Sequence, residues 1–212
     1  MTQEKLVTQI AATAVVDATA RIGEGSKIWN FVQLAAHSVI GSNCSLGKGV
    51  YIDRHVIIGN NVRMQNEVLV STGFVIEDDV FIGPGVLFTN DKFPRSHRNR
   101  DVSNLRWVVG KGATIGGNVT IMPDINIGEY AMVGAGSVLT KDVPKHGAVW
   151  GVPAKLMGFV CYCGYVFKEN MSFKGEKTLK CGECGKSFKV TAPEIKKKNA
   201  KSKYYNITTQ RG

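Results

Sequence analysis

The sequence predicts an all-β chain, a triangular parallel β-helix of about six coils with an inserted loop, followed by a small cysteine-bearing module. Three observations predict it: an aliphatic residue at every sixth position, one interruption of that period, and four of five cysteines in the last quarter of 212 residues. Stepping by six from Ile10 gives Val16, Ile22, Ile28, Leu34, Ile40, Leu46, Ile52, Ile58, Met64, Val70, Ile76 and Ile82. The register breaks over residues 88–108 and resumes at Val109, Ile115, Ile121, Ile127, Val133 and Leu139. Four positions after most of these comes a small or apolar residue (Val32, Cys44, Val50, Val56), and glycine often follows directly, as in Ile40-Gly41 and Ile115-Gly116.

A helix cannot keep this pattern on one face, because six residues make about 1.67 turns at 3.6 residues per turn. A long flat strand fails too, since turn residues recur every few positions. A short strand and a sharp corner per six residues does fit. Three such sides close a coil of 18 residues, with the aliphatic side chains stacked inside, as in the hexapeptide β-helix. At about 4.8 Å between neighbouring strands the prism is roughly 30 Å long. Its ends expose unpaired backbone and apolar side chains, so residues 1–9 and the C-terminal segment are expected to cover them. Cys44 falls on an inward position and reads as core. His37 and His55, one coil apart, are expected to stack on one face.

Charge divides the chain as the period does. The total is +10, yet residues 1–154 are almost neutral and the excess of lysine and arginine lies beyond them. Composition, 43% apolar, is ordinary for a globular chain. No stretch approaches the 18 or so apolar residues of a membrane span. The N-terminus lacks the basic-then-apolar pattern of a secretory leader. A cytoplasmic location, where thiols stay reduced, is therefore expected.

The interruption is where chemistry is expected, because a long insertion in a regular solenoid is commonly functional. It carries Lys92, Arg95, Arg98, Arg100 and Arg106 against Asp91 and Asp101, a set suited to phosphate oxygens. Two segments around it, Val80-Phe-Ile-Gly-Pro-Gly-Val-Leu-Phe-Thr-Asn-Asp-Lys-Phe-Pro-Arg95 and Lys111-Gly-Ala-Thr-Ile-Gly-Gly-Asn-Val-Thr-Ile121, resemble the family that N-acetylates 3-amino-3-deoxy sugars on a nucleoside diphosphate. The segments Val133-Gly-Ala-Gly-Ser-Val-Leu-Thr-Lys-Asp-Val-Pro144 and Gly151-Val-Pro-Ala-Lys155 resemble hexapeptide acyltransferases more broadly. Together the resemblance covers residues 10 to about 158.

The resemblance implies a left-handed coil, a homotrimer with sites between neighbouring prisms, and acetyl-coenzyme A as co-substrate. Residue by residue, it puts Asn90 beside the acceptor amine, and Gly117, Ala135, Thr140 and Lys155 along the coenzyme, with Lys155 at a phosphate. Asp91, Arg95 and Arg98 are the candidate substrate-binding side chains. Sugar O-acetyltransferases and some N-acetyltransferases of this kind place a general-base histidine in the loop. Here that place holds none, and the nearest, His97, lies outside the shared motif. An unprotonated sugar amine is already nucleophilic, so proximity and a donor for the oxyanion suffice. Backbone amides at Gly116 and Gly117 are the candidate donors. His97 as general base is the alternative.

The pairs Cys161-Tyr-Cys163 and Cys181-Gly-Glu-Cys184, each followed by glycine and an aromatic strand, look like the two knuckles of a zinc ribbon. A segment of some thirty residues has too little core to fold alone, so a structural zinc would stabilise it. The sequence thus divides into a β-helix over 1–158, a ribbon-like module over 159–192 and a basic tail over 193–212. The tail's lysines have few aromatic companions, so nucleic acid is not the expected partner. The function expected is transfer of acetyl from acetyl-coenzyme A to an amino group of a nucleotide-linked amino-deoxy sugar in surface glycan synthesis. Sugar O-acetylation and a zinc-ribbon binding protein on an inert scaffold are the alternatives.

Overall fold

A computed structural model describes residues 7–98, 105–167, 173 and 175–191. Two-residue strands, one per hexad, stack into three flat ladders that form the faces of a prism. The first face runs Gln9–Ile10, Lys27–Ile28, Ser45–Leu46, Arg63–Met64, Phe81–Ile82, Thr114–Ile115, Met132–Val133 and Gly147–Gly151. The second runs from Val15–Val16 to Val138–Leu139, the third from Arg21–Ile22 to Trp107–Val109. All are parallel, and before the insertion each residue pairs with the one 18 positions on, as in Ile10↔Ile28 and Ile40↔Ile58.

The predicted inward positions form one continuous core. From Ile28 to Leu139 all sixteen are buried, together with the fourth-position residues such as Val32, Cys44 and Val56. Each buried aliphatic side chain stabilises by about 1.5–3 kcal/mol relative to exposure. The first coil departs from this. Ile10 is 50% exposed and Val16 and Ile22 are only half-buried. Residues 7–9 do not cover them, and residues 1–6 lie outside the described residues.

Two features hold the corners together. The residue after each inward aliphatic lies against the next coil: a β-carbon on Gly41 would meet the Gly59 carbonyl oxygen at 2.4 Å, and one on Gly116 the Ala135 amide nitrogen at 2.5 Å. The third residue after it takes the left-handed conformation, at His37 (φ 60°), Asn43 (57°), His55 (60°) and Asn61 (56°) among others. Asparagine and glycine tolerate that region best, which explains their recurrence there.

The insertion is a register jump. Leu87 pairs with Thr120 and Phe74 with Trp107, each 33 positions on. Phe88 and Trp107, at the margins of the interruption, belong to the ladders. Both rings pack on Phe74, at 4.9 and 5.0 Å between centroids, so the loop leaves the prism from a buried aromatic base.

The solenoid also runs beyond the last predicted position. Ile127 pairs with Val143 and Val133 with Val149, at a spacing of 16 instead of 18. The two-residue shortening hides this coil from a strict period. Gly147–Gly151 then turns back into the antiparallel strand Ala154–Val160, which pairs in turn with Val166–Phe167. A separate hairpin, Glu176–Lys180 with Ser187–Thr191, completes the module. Its core is Phe159, Cys161, Cys181, Phe188 and Val190, and Leu156 packs against both this core and that of the prism. The module covers the prism end through His146, which is fully buried. The His146 ring stacks on Tyr130, meets Tyr162 edge-on and lies 4.4 Å from Phe188, while its Nδ1–H donates to the Val160 carbonyl at 2.8 Å. Burial holds the His146 imidazole below its usual pKa. The basic tail lies outside the described residues.

Candidate active site and thiol cluster

Three corners per coil give the prism three edges, and the predicted site residues fall on two of them. The edge between the first and second faces carries Gly83-Pro84-Gly85, then Gly116-Gly117, then Gly134-Ala135, one coil below another. Trp150 lies under Gly134, where a β-carbon would meet its Cβ at 2.7 Å. Lys155 pairs with Trp150 across the closing hairpin and is exposed. Gly116, Gly117, Ala135 and Lys155 therefore share one edge, as a ligand laid along it requires.

The oxyanion donors separate on inspection of the ladder. The Gly116 amide donates to the Val133 carbonyl at 2.8 Å and is committed there, which removes it as a donor to substrate. The amides of Gly117 and Ala135 make no hydrogen bond to the described residues. They sit one coil apart and face the same edge.

Asn90 and Thr140 occupy the next edge, between the second and third faces. Thr89, Met122 and Thr140 follow successive strands of the second face: the Thr89 amide donates to Ile121 (3.0 Å) and the Met122 amide to Leu139 (3.1 Å). Asn90 is half-buried at the foot of the insertion. A cleft of about 560 Å³ opens there, lined by Lys92, Phe93, Met122, Pro123, Asp124 and Thr140 among others. Lys92 bridges to Asp124 at 2.6 Å, which ties the loop to the prism. Asp91 accepts the Phe93 amide at 2.9 Å and so shapes the turn. Arg95 and Arg98 form a small antiparallel bridge, with His97 between them, and all three side chains are exposed. No described contact brings His97 to Asn90.

Higher on this edge stands a polar column the sequence only hinted at. His37 and His55 stack as expected, 5.1 Å apart and 17° from parallel. Beside them Asp53 accepts hydrogen bonds from Thr72 Oγ1 (2.7 Å), the Thr72 amide (3.1 Å), the Arg54 amide (2.8 Å) and Tyr51 Oη (3.2 Å). Burial alone would raise the Asp53 pKa, but these donors outweigh it and hold the carboxyl below its usual value. Asp53 and Thr72 stand 19 positions apart, so no short motif marks the pair.

The four module cysteines converge. Cys161 and Cys184 have sulfurs 3.5 Å apart, Cys163 and Cys181 3.7 Å, and all four lie within 4.8 Å of one another with no disulfide. Sulfurs about 2.3 Å from a tetrahedral zinc would stand about 3.8 Å apart, so the set fits such an ion. Each knuckle turns tightly, with Gly164 N–H donating to Cys161 and Gly185 N–H to Cys181. Burial pushes the Cys161 thiol up to about 12. At Cys181 burial also acts upward, yet the Cys184 and Glu183 amides and the neighbouring sulfurs bring the thiol down to about 7.

These features have counterparts. A family model described as bacterial transferase hexapeptide (six repeats) matches residues 19–54 and 108–141, and one described as hexapeptide repeat of succinyl-transferase matches 38–71. Over 176 residues the chain is 43% identical to the dTDP-3-amino-3,6-dideoxy-alpha-D-galactopyranose 3-N-acetyltransferase of Aneurinibacillus thermoaerophilus, covering 83% of this chain and 88% of that one. Among solved structures, PerB from Caulobacter crescentus in complex with CoA and GDP-perosamine is similar at 26% identity and a TM-score of 0.48. That match covers 73% of this chain and spans only 58% of the other. A hexapeptide transferase family protein from Anaplasma phagocytophilum is similar at 24% identity and a TM-score of 0.49, over 74% and 86% of the two chains. With its period, its three-faced prism and a relative of this identity along most of both lengths, the chain belongs to the hexapeptide-repeat transferase family.

Proposed function

We propose that the protein transfers acetyl from acetyl-coenzyme A to the amino group of a nucleotide-linked amino-deoxy sugar, within the cytoplasm and toward a surface glycan. The observation that carries this is the division of the site residues between two edges of one prism, in a chain 43% identical to an amino-sugar 3-N-acetyltransferase. Coenzyme would lie along the edge of Gly117, Ala135 and Lys155. The edge of Asn90, Thr140 and the insertion would come from a neighbouring copy in a homotrimer. Exposed Leu69 and Leu87 on the second face and Ile57 on the third suit such packing.

In this reading Asn90 orients the acceptor amine, with Asp91, Arg95 and Arg98 holding the sugar nucleotide. The unprotonated nitrogen attacks the thioester carbonyl, and the Gly117 and Ala135 amides offer donors to the oxyanion. As the C–S bond breaks, the coenzyme leaves as its thiol, taking up the proton that the nitrogen loses. Proximity supplies most of the acceleration. Cys161, Cys163, Cys181 and Cys184 would hold a structural zinc, which fixes the module and takes no part in the transfer.

The test is thiol release from acetyl-coenzyme A with a panel of nucleotide-linked 3-amino and 4-amino sugars. Asn90→Ala is expected to lower turnover about 100-fold or more, by analogy with loss of one polar transition-state contact, while coenzyme binding persists. His97→Ala is expected to keep activity. Loss confined to His97→Ala would move a general base there, and no thiol release with any acceptor would overturn the enzyme reading.

A further inference from the structure

We propose that the cysteine module positions Lys155 for coenzyme: closed by its four thiols around the structural metal proposed above, it sets the register of the strand that carries this lysine. The proposal rests on the acetyl-transfer reading, in which Lys155 meets a phosphate of the coenzyme. Lys155 and Cys161 stand on one stretch of chain, five residues apart, most of it the strand Ala154–Val160. Exposure changes along that strand. Lys155 and Met157 are exposed and Ala154 and Leu156 half-buried, whereas Gly158, Phe159 and Val160 are buried. Ala154 and Leu156 pack on the prism core, and Phe159 and Cys161 belong to the module core. One strand thus has its lysine end on the prism and its cysteine end in the module.

The prism side alone does not fix the register. Gly147–Gly151 places Trp150 opposite Lys155 and Val149 opposite Leu156, but Ala148 faces Gly158. Met157 is therefore an extra residue, and such a bulge is left unpaired with the ladder locally disrupted. A slip of one residue would absorb it and turn the side chains before it to the opposite face, Lys155 among them.

The far half of the strand is held from the module. The Val160 amide donates to the His146 carbonyl at 2.7 Å, and His146 Nδ1–H donates back to the Val160 carbonyl at 2.8 Å. On the other side Phe159 pairs with Phe167 and Val160 with Val166. A β-carbon on Gly158 would meet the Phe167 carbonyl oxygen at 2.2 Å, so the two strands lie close. The Cys161-Tyr-Cys163 knuckle is the turn between them, with the Cys161 amide donating to the Tyr165 carbonyl at 2.9 Å. Cys181 and Cys184 sit on the second hairpin, whose strands pair only with each other among the described residues. A lone two-stranded hairpin is marginal in water. The thiol cluster is what fastens it over Phe159 and so closes the module on the cysteine end of the strand.

A double-mutant cycle on the full chain in reducing buffer tests this, read by calorimetric titration with coenzyme A, thiol release and metal analysis. Its members are wild type, Lys155→Ala, Cys184→Ser and the double variant. Cys184 is exposed, so serine removes a ligand without emptying the core. Cys184→Ser is expected to weaken coenzyme A about tenfold, as loss of one charged hydrogen bond does. The KM for acetyl-coenzyme A should rise to match, while kcat, the acceptor KM and sedimentation hold. Lys155→Ala is expected to weaken coenzyme A equally, and the double variant no further, because both changes remove one interaction. Chelated wild type should behave as Cys184→Ser does. Additive losses, or a Lys155→Ala variant with full affinity, would overturn the route through Lys155. Unchanged coenzyme A affinity in metal-free protein would overturn the positioning role, as would a fall confined to kcat or a change of oligomeric state. Wild type that neither binds coenzyme A nor releases thiol would sink the acetyl-transfer reading itself.

Discussion

The prism and the cysteine module differ in how much apolar core each carries. In the prism every coil repeats the same burial, so a column of inward aliphatic residues from Ile28 to Leu139 supports itself rung by rung. Among the described residues the module's core has five buried side chains, and two of them are cysteines. A repeat protein sums nearest-neighbour terms, whereas a module of this size holding the structural zinc proposed above would concentrate its stability in one site. The difference shows where single substitutions are absorbed and where they are not.

Cysteine loss should separate the two most sharply. With the structural zinc proposed above, Cys181→Ser or strong chelation is expected to cost the module metal and structure together, because structural zinc supplies about 10 kcal/mol or more in such modules. The prism should still melt cooperatively. Metal analysis with circular dichroism checks this, and a prism that unfolds along with the module would break the contrast. A core truncation such as Ile82→Ala comes next, with an expected loss of about 2–5 kcal/mol by denaturant titration. Gly116→Ala presses on the Ala135 backbone and is expected to cost about 1–3 kcal/mol, with weaker coenzyme A binding by calorimetry.

The smallest effect concerns Asp53. Its folded pKa is below the unfolded value, so the stability it contributes is fully present above the unfolded pKa near 4. It is lost as pH falls through the lower folded value. Asp53→Asn is expected to cost about 1 kcal/mol at neutral pH and to flatten the acid limb of a stability-against-pH curve. An unchanged limb would reassign those hydrogen bonds to packing alone.

Much of this was legible from residue order because the β-helix is coded locally. Period six fixed the inward positions, and every one from Ile28 onward is buried. The i to i+18 spacing foretold the His37–His55 stack, and the paired cysteines foretold the thiol cluster. The extra coil through Val143 and Val149 was not legible, since a two-residue shortening breaks the period while the ladder continues. Nor was the commitment of the Gly116 amide to Val133, because a motif names a residue without saying which of its groups the ladder uses.

The sequence by itself therefore determined the repeating unit, the place of the insertion and the cysteine knuckles. Each depends on residues near in the chain or at a fixed spacing. Only the tertiary structure decided that Asn90 and Thr140 share one edge while Gly117, Ala135 and Lys155 share another. It also decided that His146 and Leu156 join prism to module. Those relations depend on how many residues each coil contains and on where the closing hairpin folds back. They are sums over the whole chain, which no local pattern records.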